Sequence, residues 1–279
     1  IITYRTLENR GTPRRIRASS VKEMDDKTSP LTFNNIDPET GRILITPRGP
    51  DPILYGIRGE TSEAVKEAHK TILSQEPIER WVIFRTNHGT DAHLKRTSSI
   101  SEVQPFNPVV VQGFVNTTPQ VIPGGHVIFS LKDETGQIDC AAYEPTGILK
   151  RVAEQLIPRD HIEACGGVRL ASKIHPNTIN LEKMQILKLA PKTVLFNPKC
   201  PECGRRMKSM GKGQGFRCER CGYRSAELRK VSVRGERDLK EGLYITSPRS
   251  QRHLTKPQCR YGREKSGKSN KMIEKWHFP

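Results

Sequence analysis

The sequence is poor in the residues that build a large core or cross a membrane. Only 34% of its 279 residues are hydrophobic and 6% aromatic, which favours two or three modest domains over one large one. No run approaches the roughly 18 apolar residues of a membrane span, and no charged-then-apolar leader is present. A soluble, cytoplasmic protein without a membrane partner is expected. Position 1 is not methionine: the chain opens IITYRTLENRGTPRRI, which reads as the middle of a longer protein. Acidic residues are scarce in one region. Between 191 and 279 there are 8 Asp and Glu against 23 Lys and Arg, whereas the other 190 residues carry 22 against 24. The net charge of +17 therefore belongs to the C-terminal third. Such an excess suits a polyanion, because each phosphate contact releases a condensed counterion.

Cysteines are few and odd in number, which argues against a disulfide framework. Four of the seven lie in CPECGRRMKSMGKGQGFRCERCGY, Cys200 to Tyr223. Two Cys-x-x-Cys turns can each set a pair of thiolates on one side of a tetrahedral ion. Pro201, Gly204 and Gly222 supply knuckle geometry, and RRMKSMGKGQGFR is expected to fold as a hairpin that joins the pairs. Cys200, Cys203, Cys218 and Cys221 thus fit a zinc ribbon. Four thiolates leave no open coordination position, so the Zn2+ is expected to be structural and not catalytic. The hairpin would display Arg205, Arg206, Lys208, Lys212, Arg217, Arg220 and Arg224, a one-sided set suited to RNA phosphates. Phe216 and Tyr223 could stack on bases or serve as packing. Cys140 and Cys165, within apolar strands, read as small core residues, and His253 and Cys259 as incidental.

The pattern before the ribbon falls into two parts. From Leu31, LTFNNID and RILITP flank the turn PETG, ILYGIRG is a strand, ETSEAVKEAHKTILSQ a helix capped by Thr61 or Ser62, and WVIFRTN a further strand. This order predicts a ferredoxin-like α+β domain over 1–100. Over 101–190, PVVVQGFVN, HVIFSLKD and GQIDCAAYEP are strands, GILKRVAEQLI a helix, and HIEACGGVRL and TINLEKMQILKL two more strands. Five strands with a helix between the third and fourth is the order of an OB-fold, which commonly binds single strands or RNA. Gly113, Gly166 and Gly167 fit bends or bulges in it. The expected class is therefore multidomain α+β and β: ferredoxin-like domain, OB-fold, zinc ribbon over 191–240, and a basic tail over 241–279, whose last stretch, YGREKSGKSNKMIEKWHFP from Tyr261, orders on a partner.

Polar groups gather at strand ends in the first domain. FNNID holds Asn34, Asn35 and Asp37; RGPDPILYGIRGE holds Asp51, Arg58 and Glu60; RTNHGTDAHL holds His88, Asp91 and His93. Turn chemistry explains much of this, with Thr90 or Asp91 as a cap. The histidines lack a clear third partner for metal or acid–base work.

These three stretches, followed by the five-stranded pattern and CPEC…CERC, resemble the archaeal tRNA(Ile) 2-agmatinylcytidine synthetase family along essentially the whole chain. The resemblance implies an ATP-dependent ligase that joins agmatine to C2 of the wobble cytidine, position 34, of tRNA(Ile) with a CAU anticodon, so that it decodes AUA. The family's catalytic kinase-like domain precedes its ferredoxin-like domain, OB-fold and ribbon, and carries a Gly-Ile-Asp-Asp-Thr-Asp-Ser type motif. No such string occurs here. The chain is therefore expected to be the C-terminal portion, inactive alone, with no catalytic residue of its own and with ATP and Mg2+ held by the absent domain. It would keep tRNA recognition and part of the agmatine wall. A guanidinium and an ammonium favour carboxylates, which makes Asp37, Asp51 and Glu60, with Arg58 beside them, the substrate-binding candidates. The same carboxylates could bond backbone in turns. The alternative is a non-enzymatic OB-fold and zinc-ribbon binder of single-stranded nucleic acid, which would have no use for FNNID or RTNHGTDAHL. A stand-alone zinc enzyme is disfavoured by the closed four-cysteine set.

Overall fold

A computed structural model of the chain describes residues 1–97, 99–173, 175–263 and 273–278. In the N-terminal part, β1 (Ile2–Arg5), α1 (Ala18–Thr28), β2 (Ile53–Gly56), α2 (Ser62–Thr71) and β3 (Ile78–Val82) follow in sequence. β1 is central, antiparallel to β2 on one side and β3 on the other. Both helices cover the sheet, and Val21, Met24, Leu54, Tyr55, Val65 and Ala68 form the core between them. Thr61 caps α2 by accepting from the Ala64 amide at 3.1 Å, as its position before an apolar-periodic run suggests. The strand expected at Trp81 to Asn87 begins earlier and stops at Val82; Phe84 beyond it is exposed.

β1 and α1 have no counterpart in the strand reading that starts at Leu31. β1 carries Arg5, a polar residue by pattern but fully buried. Its guanidinium is satisfied by both oxygens of Glu76, at 2.7 and 2.8 Å, and by the Thr12 carbonyl at 2.8 Å. A buried ion pair is tolerable only when its remaining donors are bonded in this way.

The second part is a closed five-stranded barrel. Its strands are β4 (Pro108–Val115), β5 (His126–Lys132), β6 (Gln137–Ala142), β7 (His161–Arg169) and β8 (Thr178–Lys188), with α3 (Ile148–Ala153) between β6 and β7. Neighbours run β4–β7–β8–β6–β5, and β4 meets β5 to close the ring. β6 and β8 are parallel; the other pairs are antiparallel. Alternate residues such as Val109, Val111, Phe129, Leu131, Ile162, Ala164 and Met184 fill the interior. Two strand glycines are required by close approach: a Cβ at Gly166 would lie 2.0 Å from the Asn180 carbonyl oxygen, and one at Gly113 2.8 Å from that of Lys132. Cys140 and Cys165 are core residues, and burial pushes the Cys165 thiol up to about 12.

A two-stranded ribbon of Lys192–Phe196 with Val231–Gly235 leads from the barrel to the cysteine module and back. Residues 241–263 pack within the chain; of these only 261–263 belong to the segment expected to order on a partner. Gly242–Ile245 adds to the barrel beside β8, and the turns after it lie against the N-terminal domain. His277–Phe278 pairs with β3. The physical reason is charge: the cations of this segment meet carboxylates of the first domain, described below. Residues 264–272 and 279, the rest of that expected tail, lie outside the described residues. Among the described residues no helix is long and apolar enough to cross a membrane.

Candidate nucleic-acid interface

The four cysteines converge. One sulfur from each of Cys200, Cys203, Cys218 and Cys221 lies within 4.8 Å of the others, with Cys200 to Cys221 at 3.5 Å and Cys203 to Cys218 at 3.4 Å. The two turns are built alike. The Gly204 amide donates to the Cys200 carbonyl at 2.9 Å and the Gly222 amide to that of Cys218 at 3.0 Å. Gly204 and Gly222 have φ of 72° and 78°, left-handed values at which glycine is unstrained. Amides of the second turn, that of Cys221 foremost, pull the Cys218 thiol down to about 6. A soft four-sulfur donor set on paired knuckles fits a tetrahedral zinc ion and leaves it no free position. Met207 and Phe216 complete the small core around it, which answers whether Phe216 stacks or packs: it is buried.

Above the knuckles, Lys208–Ser209, Phe216–Arg217 and Arg224–Ser225 form a three-stranded sheet. Its register sets Lys208 opposite Arg217 and Arg217 opposite Arg224. Directly opposed residues share a face, so three of the expected cations stand in one row, while Phe216 points to the core. Like charges in that position are destabilising, and a row of phosphates would relieve the repulsion. Glu219 takes Lys208 at 2.9 Å. Arg205, Lys212 and Arg220 are exposed. Arg206 departs from the row: it donates to the Asn197 carbonyl at 3.0 Å and lies 4.7 Å over the Phe196 ring.

The expected substrate carboxylates each hold an arginine of the chain. Asp37 accepts from Thr40 at 2.8 Å and from Arg249 at 2.9 Å. Burial alone would raise its carboxyl, but those two donors hold it below the ordinary range. Asp51 bonds the Ile53 amide at 3.0 Å and faces Arg14 at 3.2 Å. Glu60 is paired with Arg260 at 2.5 Å. Arg58 donates from its guanidinium to His253 Nδ1 at 2.9 Å, and burial lowers its pKa. The turn reading of these residues is thus part of the answer, with Asp51 and Asp37 bonding nearby backbone. Asn34 donates to Gln251 at 2.7 Å and Asn35 to Asp25 at 2.9 Å.

The histidines of RTNHGTDAHL do not converge with Asp91. His88 stacks on His253 with ring centroids 5.0 Å apart. His93 meets Glu182 of β8 at 2.9 Å, and Asp91 pairs with the buried Lys183. The loop therefore docks onto the barrel. The sequence pattern points to none of Lys183, Arg249 or Arg260, because each is recognisable only by a carboxylate far away in the chain.

Comparison with known proteins agrees with this architecture. Residues 1–93 match the family model described as TiaS FLD domain, and residues 197–239 that described as TiaS C-terminal zinc ribbon domain. The tRNA(Ile2) 2-agmatinylcytidine synthetase TiaS of Staphylothermus marinus is 46% identical over 266 residues, covering 95% of this chain and 58% of that protein. The crystal structure of the TiaS–tRNA(Ile2)–ATP complex superposes with a TM-score of 0.82 at 39% identity, over 93% of this chain and 59% of that one. That of the TiaS–tRNA(Ile2)–AMPCPP–agmatine complex does so with 0.78 at 37%, over the same shares. The chain spans about three fifths of the length of these relatives, and along nearly all of its own length it is similar to TiaS proteins.

Proposed function

We propose that this chain is the tRNA-recognition portion of an ATP-dependent ligase that conjugates agmatine to C2 of cytidine 34 in tRNA(Ile) with a CAU anticodon, so that it decodes AUA. The observation that carries the reading is similarity to TiaS proteins over 95% of the chain, from the first residues through the ribbon. On this reading 1–100 is a ferredoxin-like domain. The β1-α1-β2-α2-β3 order supports that, as does a partial strand, since the Gly56 amide donates to the Ile45 carbonyl at 2.8 Å beside β2. The barrel over 101–190 is of OB type, and 191–240 is the ribbon. Cys200, Cys203, Cys218 and Cys221 hold a structural Zn2+. Lys208, Arg217 and Arg224 face RNA phosphates, with Arg205, Arg206, Lys212 and Arg220 around them. Asp37, Asp51, Arg58 and Glu60 shape the agmatine-facing wall; the Asp51 side chain, 37% exposed, is the carboxylate nearest to solvent. ATP and Mg2+ are held by the catalytic domain the family implies, and no residue of this chain is assigned to them. The activity is placed in the cytoplasm.

The test is binding to unmodified tRNA(Ile) with a CAU anticodon, against elongator methionine tRNA and single-stranded DNA, over a salt series. Preference for the isoleucine tRNA is expected, with log affinity falling by about 0.7–0.9 per log unit of salt for each phosphate contacted. Replacing Lys208, Arg217 and Arg224 together by Ala should flatten that slope by about two to three units. Equal binding to all three ligands would favour the non-enzymatic binder instead, and an unchanged slope would remove the row from the interface.

A further inference from the structure

TFNNID, RGPDPILYGIRGE and FRTNHGTDAHL are separated in sequence, and one side chain from the far end of the chain touches all three. Arg260 ends a short turn, Gln258–Arg260. Its Nε and Nη2 donate to the two oxygens of Glu60 at 2.5 and 2.9 Å. Its Nη1 donates to the carbonyls of His88 at 3.0 Å and Gly89 at 2.8 Å. The guanidinium carbon lies 5.1 Å from the centroid of the Phe33 ring. Gly89, at φ 64°, is packed so tightly here that a Cβ would sit 3.2–3.3 Å from Phe33, Arg260 and Pro257. The backbone of the same segment reinforces the contact: the Gly89 amide donates to the His253 carbonyl at 2.9 Å, and that of Asp91 to the Leu254 carbonyl at 2.8 Å.

A cation kept only for stability could be replaced by a well-packed apolar residue at little cost. What arginine adds is a rigid fork whose donors fix several acceptors relative to one another. Here one edge holds a carboxylate and the other holds two consecutive carbonyls of a loop, so the distance between strand end and loop is set by the guanidinium itself. The loop keeps its outer side chains, Thr86, Asn87 and Thr90, exposed while its inner face is pinned. We infer that Arg260 is a positioning residue: it clamps the three N-terminal motifs into one rigid wall and thereby sets the affinity for the guanidinium–amine substrate. This rests on the proposed agmatine-ligase reading, whose wall these motifs form.

The experiment places Arg260→Lys or Arg260→Ala in this chain joined to the catalytic domain that the proposed reading requires, with two readouts and the wild type of the same polypeptide as reference. The first is amide hydrogen exchange, which does not depend on activity. Exchange over 86–91 and 31–35 should accelerate, more in the alanine variant than in the lysine one. Barrel and ribbon amides should be unchanged. The second is steady-state turnover with agmatine, tRNA and ATP. The KM for agmatine should rise about tenfold to a hundredfold, the range expected when a loop is misplaced by about an ångström, with the KM values for tRNA and ATP little altered. Arg260→Lys keeps the charge but lacks the fork, so partial recovery is expected from it. Unchanged exchange over 86–91 would overturn the clamp. Faster exchange with an unaltered KM for agmatine would overturn the positioning role and leave only a structural contact. A wild-type polypeptide that binds the tRNA but never turns over agmatine would refute the ligase reading, and the positioning role with it.

Discussion

Stripping the metal from the cysteine cluster should unfold the ribbon and spare everything else. The module has little else to hold it: Met207 and Phe216 are its large buried side chains, together contributing about 3–6 kcal/mol by burial. Its strands are two residues long, too short to supply much pairing. A structural zinc in a comparable peptide contributes about 10–16 kcal/mol, so the metal is the dominant favourable effect. The barrel core of Val109, Phe129, Leu131, Ile162 and Met184 shares no residue with the cysteine cluster. Cys218→Ser, or a strong chelator on the wild type, should therefore release one equivalent of zinc, detected with a colorimetric indicator. Exchange protection should vanish across 199–225 and persist in β4 to β8. Protection retained across the knuckles after complete metal loss would refute the argument, as would collapse of the barrel signal in parallel.

Two further predictions concern the rest of the molecule. Arg151 at 2.6 Å, and then Arg249 at 2.6 Å, hold the Glu39 carboxyl down to about 2. A depressed carboxylate stabilises the fold above its unfolded value of 4.5 and loses that contribution as pH falls towards 2. Carbon-detected NMR titration of Glu39 should give a midpoint near the lower figure in the wild type and move upward in Arg249→Ala; a wild-type midpoint at the unfolded value would refute the pairing. Gly166→Ala should destabilise the barrel at or beyond the upper end of the roughly 1–3 kcal/mol typical of overpacking, because its Cβ would meet backbone at 2.0 Å. Gly136→Ala, whose nearest neighbour is a side-chain atom at 3.7 Å, is the control in the same urea titration and should shift the midpoint little.

The barrel and the knuckles were the legible parts of the sequence. Each barrel strand alternates or runs apolar over five or more residues between turn signals, so periodicity alone sets its limits, and the strands pair in an order the helix position implies. The knuckles follow from four cysteines and two glycines. β1 was hidden because its buried residues are polar, Thr3 and Arg5, and the Arg5 partner Glu76 lies 71 residues away. α1 was hidden because its N-cap position is Arg17, which makes no side-chain cap bond, so the usual start signal is absent. The cations of the ribbon were legible as a set but not as a surface. Only the register shows that Lys208, Arg217 and Arg224 align and that Arg206 turns away to Phe196.

The same limit applies to the charge argument itself. An excess of cations in the C-terminal third does not say which of them wait for phosphate. Arg237 is spent on Asp160 at 2.6 Å, Arg249 on Asp37 and Glu39, and Arg260 on Glu60. These carboxylates belong to the N-terminal 190 residues, whose near-neutral balance therefore hides acids already committed to partners downstream. What remains outward on the ribbon is the row and its neighbours. The two groups should respond differently to salt, because pairs removed from solvent are screened much less than an exposed row. Raising ionic strength should thus weaken RNA binding steeply while the packing of 249–260 on the first domain, followed by exchange over 86–91, holds. If both faded together, the exposed and the internal cations would be one electrostatic population, and the division of labour between clamp and RNA surface would fail.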